Sequence, residues 1–139
     1  MKRIILAALA ASLTTAAFAA DPPKPAGLDA ARKAFVAAIK AKDWKALGEL
    51  VSWPVAVDGY EAAPTIAKAA YLKDHRKLTN FLGDDEATLK CIAGDPATYQ
   101  GDKSQIGFGS WVIDCNGNEY YFGVKGGKVL FTAYGNINE

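Results

Sequence analysis

The chain predicts an α+β domain in which N-terminal helices pack on a curved, cone-like antiparallel sheet that ends in a three-stranded meander. Three observations carry this expectation. Apolar residues recur at helical spacing between Leu28 and Leu82, and strand-like runs take over from Ser104. Two-residue hairpin signals, Asn116-Gly117 and Gly126-Gly127, divide that last stretch.

Residues 1–19 read as a cleavable signal peptide. Lys2 and Arg3 form its positive end, Ile4 to Leu13 its apolar segment, and Ala17-Phe18-Ala19 the small residues before the cut. A membrane anchor fits less well, because the apolar stretch is short and Thr14 and Thr15 dilute it. Residues 20–27 form a spacer whose three prolines give no backbone donors and favour extended chain. A single domain over residues 28–139 follows, enough chain for one core and too little for two.

Leu28, Ala31, Phe35 and Ile39 mark the buried face of a first helix. Asp43 is placed to cap a second, with Trp44, Leu47, Leu50 and Val51 as its stripe and Trp53-Pro54 as its stop. Val55 to Val57 reads as a short extended piece ending at the Asp58-Gly59 turn. A third helix is expected from Ile66 to Leu82, with Tyr71, His75, Leu78 and Leu82 in one sector. Residues 84–91 fit either helix or strand, and 95–101 read as loop.

Ser104–Cys115, Asn118–Lys125 and Lys128–Asn136 are the three strand-like runs. Taking each turn as two residues pairs Trp111 with Phe122 and Phe122 with Phe131, and likewise Ile113 with Tyr120 and Tyr120 with Ala133. One face is then apolar and includes Cys115. The other carries Asp114, Glu119, Tyr121 and Thr132 beside Val112 and Leu130. Gly107 and Gly109, on one side of the first strand, suggest a bend or a close approach.

Cys91 and Cys115 are the only cysteines, and in an exported chain an even pair reads as a disulfide. A redox or metal site is a poor alternative, because there is no CxxC and only one histidine. Sixteen basic residues face fifteen acidic ones, and loss of Lys2 and Arg3 leaves the mature chain slightly acidic. Scattered, balanced charge gives no footprint for nucleic acid, nor for a membrane once the signal is removed.

The segment FVAAIKAKDWKALGELVSWPVAV, then a helix, then GFGSWVIDCNGNEYYFGVKGGKVLFTAYGNIN, resembles the nuclear transport factor two-like superfamily. Its most suggestive pieces are Asp43-Trp44 running into Trp53-Pro54, and Gly107-x-Gly109-x-Trp111. The resemblance, to an uncharacterised secreted branch, implies an α+β cone with a pocket at one end. It implies no activity, since ketosteroid isomerase-like enzymes and non-catalytic modules share that fold.

Candidates for chemistry are few. His75 has the chemistry of a general base, with Tyr71 or Tyr120 as its partner, against the plainer role of a half-buried ring with satisfied nitrogens. Trp111, Tyr120, Phe122 and Phe131 form an aromatic band that is either core or the lining of an apolar pocket. Asp114 and Glu119 face each other beside a surface turn, and Asp84-Asp85-Glu86 reads as the charged first turn of a helix. No phosphate loop, nucleophile elbow or zinc motif is present, so neither cofactor nor metal is implied. The expectation is a periplasmic or secreted domain, monomer or homodimer, that binds a small apolar ligand or a protein partner. The alternatives are an isomerase- or dehydratase-like enzyme using His75, and an inhibitor or immunity-type protein acting through residues 95–104.

Overall fold

A computed structural model describes residues 20–58 and 64–137. The signal peptide and Gly59 of the Asp58-Gly59 turn lie outside these residues. The first helix, α1 (Leu28–Ala41), buries Leu28, Phe35 and Ile39 as its spacing requires. Lys42 turns the chain with a φ of 52°, and Asp43 then caps α2 (Trp44–Glu49), its Oδ1 accepting from the Ala46 N–H at 3.0 Å.

The second helix stops earlier than its apolar stripe suggested. Leu50 caps it, and Val51, Trp53 and Pro54 belong instead to strand β1 (Val51–Val57). The Trp53-Pro54 peptide bond is cis and sits within that strand. Burial of Val51, Val55 and Val57 accounts for the change, since β-branched residues fit a pleated, packed surface. β2 (Thr65–Ile66) pairs antiparallel with β1 at Val55 and Ala56.

The helix expected from Ile66 to Leu82 is divided into α3 (Lys68–Lys73) and α4 (Arg76–Thr79). Asp74 breaks it. Its backbone is extended, and its carboxylate accepts from both the backbone N–H and the Nε of Arg76, at 3.1 and 2.9 Å. A side chain that bonds the backbone two residues on competes with the helical ladder. The ambiguous segment after Gly83 is helical: α5 spans Glu86–Gly94, capped by Asp85, whose Oδ1 accepts from the Thr88 N–H at 2.9 Å.

β3 (Thr98–Tyr99), β4 (Trp111–Cys115), β5 (Asn118–Lys125) and β6 (Lys128–Asn136) complete a six-stranded sheet ordered β2-β1-β6-β5-β4-β3. The fold is α+β, with helices on one face. The sheet is mixed rather than wholly antiparallel, because β1 runs parallel to β6. The run 104–115 forms strand only from Trp111. Gly107 and Gly109 adopt φ of 71° and 82°, conformations of turns rather than strands. The loop they build lies over the outer face of the sheet, where a Cβ on Gly107 would collide with the Tyr121 ring. This explains why Tyr121, expected on the wetter face, is only 2% exposed.

Both two-residue turns form, and the β4–β5 register is as expected, with Trp111 opposite Phe122 and Ile113 opposite Tyr120. One pairing differs. A bulge on β6 leaves Thr132 between partners, so that Tyr120 faces Tyr134 and not Ala133. The Thr132 hydroxyl meets Ser110 Oγ at 2.7 Å and donates to the Tyr121 carbonyl, and these two contacts hold the extra residue.

Helices and sheet meet over an aromatic centre. Phe35 stacks on Phe131 at 4.7 Å and meets Phe122 edge-on at 5.4 Å. Two fasteners hold α5 beside this centre. Cys91 on α5 forms a disulfide with Cys115 on β4, closing a loop that stabilises the fold by about 3 kcal/mol in the chain-entropy account. Arg32 of α1, only 4% exposed, donates to the carbonyls of Ile92, Cys91 and Asp95 at the end of α5.

Two comparisons check this packing by urea denaturation. Gly109→Ala should cost about 1 kcal/mol for its left-handed backbone alone. Gly107→Ala should cost a further 1 to 3 kcal/mol or so, as overpacking does, and equal losses would mean that the loop does not rest on Tyr121. Arg32→Met should cost roughly 3 kcal/mol by stranding the buried Ile92 carbonyl and the two part-buried ones beside it, with Arg32→Lys recovering part of it. A loss below half that in Arg32→Met would show that α5 does not depend on this guanidinium.

Candidate functional site

α1 and α5 pack together, and the end of α1 shares a cleft with the start of α5. The two helices run past each other. Arg32, near the start of α1, reaches the end of α5, while Ile39 and Leu89 share a cleft at the opposite end of the pair. That cleft encloses about 710 Å³, within the usual span of roughly 300 to 1,000 Å³ for ligand sites.

Its apolar base is Ile39, Leu82 and Leu89, each buried. Trp44 and His75 supply an aromatic wall, with ring centroids 4.8 Å apart and planes within 14° of parallel. Lys40 and Lys42 stand at the rim from the end of α1, and Asp84 and Glu86 from the start of α5. Thr79 and Asn80 add uncharged polar groups. Among the described residues none of these four charges forms an ion pair. The cleft therefore offers both signs of charge around a partly apolar floor.

His75 is half-exposed in this cleft, but neither tyrosine expected to assist it joins it there. The Tyr71 hydroxyl donates to the Trp44 carbonyl, while its ring packs at 5.0 Å on Trp53. The Tyr120 hydroxyl accepts from the Gly83 N–H at 3.1 Å, and the residue is 1% exposed. Trp111 lies at the other end of the sheet, packed on Tyr99 at 5.5 Å and covered by the Lys24 ammonium at 5.9 Å. The spacer thus contacts the domain through Lys24.

Phe122 and Phe131, at 1% and 0% exposure, are packed on each other and on Phe35. Asp114 and Glu119 do face each other, yet each is engaged elsewhere. Asp114 Oδ1 accepts from the Gly117 N–H at 2.8 Å, and Glu119 Oε2 from the Tyr121 hydroxyl at 2.6 Å. In the 95–110 region, the Gln100 N–H donates to the Ser110 carbonyl and the Gly109 N–H to the Gln100 carbonyl, so that loop closes on itself.

The sequence pattern did not bring Trp44 and the four rim charges together as one site. Trp44 reads as one more member of an apolar stripe, the lysines as the outer side of the first helix, and Asp84-Asp85-Glu86 as the charged first turn of a helix. The available signal was the capping Asp43, which places Trp44 at the first turn of a very short helix, where a large ring is only partly covered.

Burial pushes the Tyr71 hydroxyl up to about 12, with Asp43 adding to the effect. Burial likewise raises Tyr120 to about 12, against the Gly83 N–H, which favours the phenolate. Tyr121 is also raised, by burial and by its bond to Glu119. Comparison with protein-family models, with curated proteins and with solved structures finds no match.

The tyrosines give a pH test. A phenol whose folded pKa lies above its unfolded value of about 10 stabilises the fold fully below that pH, and the contribution fades between about 10 and 12. Denaturant stability should fall across this window, and Tyr120→Phe should flatten the fall. Tyrosinate absorbance completing near pH 10 in the folded protein would refute the burial argument.

Proposed function

We propose that this chain is an exported, non-catalytic binding domain that takes a small polar ligand in the cleft beside Trp44 and His75. The observation that supports it is a contrast between two aromatic sets. The inner band is closed, with Phe35, Tyr120, Phe122 and Phe131 at most 1% exposed. The outer pair borders a cleft of ligand size with charged groups at its rim. A small apolar ligand inside the cone would have to displace close-packed rings, whereas a polar one in the cleft displaces only water.

Export fits the Cys91–Cys115 bond, which an oxidising compartment such as the periplasm preserves. Among the described residues no helix is long and apolar enough to cross a membrane. Membership of the nuclear transport factor two-like superfamily would fit a binding role, since non-catalytic modules use that fold too, although the cleft lies among the helices and not inside the cone. An isomerase- or dehydratase-like reading keeps His75 in the cleft. It lacks the assisting tyrosine, because the hydroxyls of Tyr71 and Tyr120 are bound to backbone groups elsewhere.

Native mass spectrometry of protein released from the periplasm tests the proposal. The wild type should carry a small-molecule adduct that Trp44→Ala loses and Phe108→Ala, altered at an exposed ring outside the cleft, retains. An adduct that survives Trp44→Ala, or a wild type that carries none, would overturn it.

A further inference from the structure

We infer that the ligand of this cleft is a small zwitterion, with a free ammonium and a free carboxylate joined by a short backbone and an apolar or planar side chain. The inference rests on the binding reading above and names its ligand class. Its basis is the arrangement of charge. Lys40 and Lys42 lie at and just after the end of α1, and Asp84 and Glu86 just before and at the start of α5, so like charges are grouped and unlike charges stand at the ends of different helices.

Exposed opposite charges attract one another only weakly through water, so unpaired ones around a cleft remain available to a ligand. Here, among the described residues, none of the four is in an ion pair, although all border one cleft. A molecule carrying one charge would satisfy one helix and face the like charge of the other. A molecule carrying both, at its two ends, satisfies each helix and leaves no charge unpaired. Its remaining part lies over Ile39, Leu82 and Leu89, against the paired rings of Trp44 and His75. Such chemistry belongs to free amino acids and to very short peptides with both ends unblocked.

The electrostatic environment supports this direction. Glu86 in the first turn of α5 and Lys40 in the last turn of α1 suit the two helix dipoles, and Asp84 and Lys42 lie just beyond those ends. The ligand then completes an arrangement that the helices already favour. Its affinity should weaken with salt, because the groups are exposed enough to be screened.

Calorimetric titration of the full mature protein with four probes separates the possibilities. L-Phenylalanine and glycyl-L-phenylalanine carry both charges, 2-phenylethylamine lacks the carboxylate, and 3-phenylpropionate lacks the ammonium. At least one zwitterion should bind about fivefold more tightly than either single-charge probe, as one exposed ion pair allows. The better of the two tells a free amino acid from a peptide.

The double variant Lys40→Gln/Lys42→Gln should weaken the zwitterion and the propionate but leave the amine unchanged. Asp84→Asn/Glu86→Gln should give the mirror pattern. Single-charge probes that bind as well as the zwitterions, or variants that fail to show opposite selectivity, would overturn the inference. So would the absence of heat from either zwitterion at millimolar concentration. Loss of the native adduct in Trp44→Ala would still uphold the binding reading in all these cases, so the two fail separately.

Discussion

The guanidinium of Arg32 is the contact on which the placement of α5 depends. The last carbonyls of any helix lack partners within it, and the last turn of α5 lies against α1. Arg32 meets three carbonyls there with donors held in a fixed plane, which an ammonium on a flexible stem does not match. Burial lowers its pKa, with Asp29 and Asp95 opposing, yet an arginine starts so high that it stays charged. A positive charge at the C-terminal end of a helix is also where the helix dipole favours one.

The disulfide holds the same helix from the other side. With Cys91 tied to β4 and the final turn tied to α1, α5 cannot slide along the sheet or tip away from it. Its first turn is thereby placed, and Asp84 and Glu86 with it. The Tyr120 hydroxyl, holding the Gly83 N–H, steadies the approach to that turn from the sheet. One wall of the cleft is therefore set by contacts that lie outside the cleft.

Much of this was legible before any coordinates, wherever the determinant was local. Asn116-Gly117 and Gly126-Gly127 demand tight turns, and from them the β4–β5 register and the inward placing of Cys115 follow. Asp43 caps the helix where its spacing places it. What escaped was decided by partners distant in sequence, or by a side chain competing with its own backbone. Asp74 ends a helix that periodicity alone would continue. Thr132 shifts the register through Ser110, twenty-two residues away. Gly107 belongs to a turn because the Tyr121 ring lies beneath it. The aromatic band was read as core or pocket, and only packing separates the two. The cleft combines residues of four helices, α1, α2, α4 and α5, and has no local signature.

Gly48 connects the core with the cleft. A Cβ there would lie 2.9 Å from the Tyr71 ring, so the absence of a side chain lets that ring settle against α2. From this seat the Tyr71 hydroxyl reaches the Trp44 carbonyl, and Trp44 is the residue whose ring borders the cleft. A methyl group gained at position 48 would be felt first as a packing defect and then, through one hydroxyl, as a displaced aromatic wall. Positions 44, 48 and 71 are thereby coupled, and a change at 48, which lines no part of the cleft, reaches the cleft wall through 71 and 44.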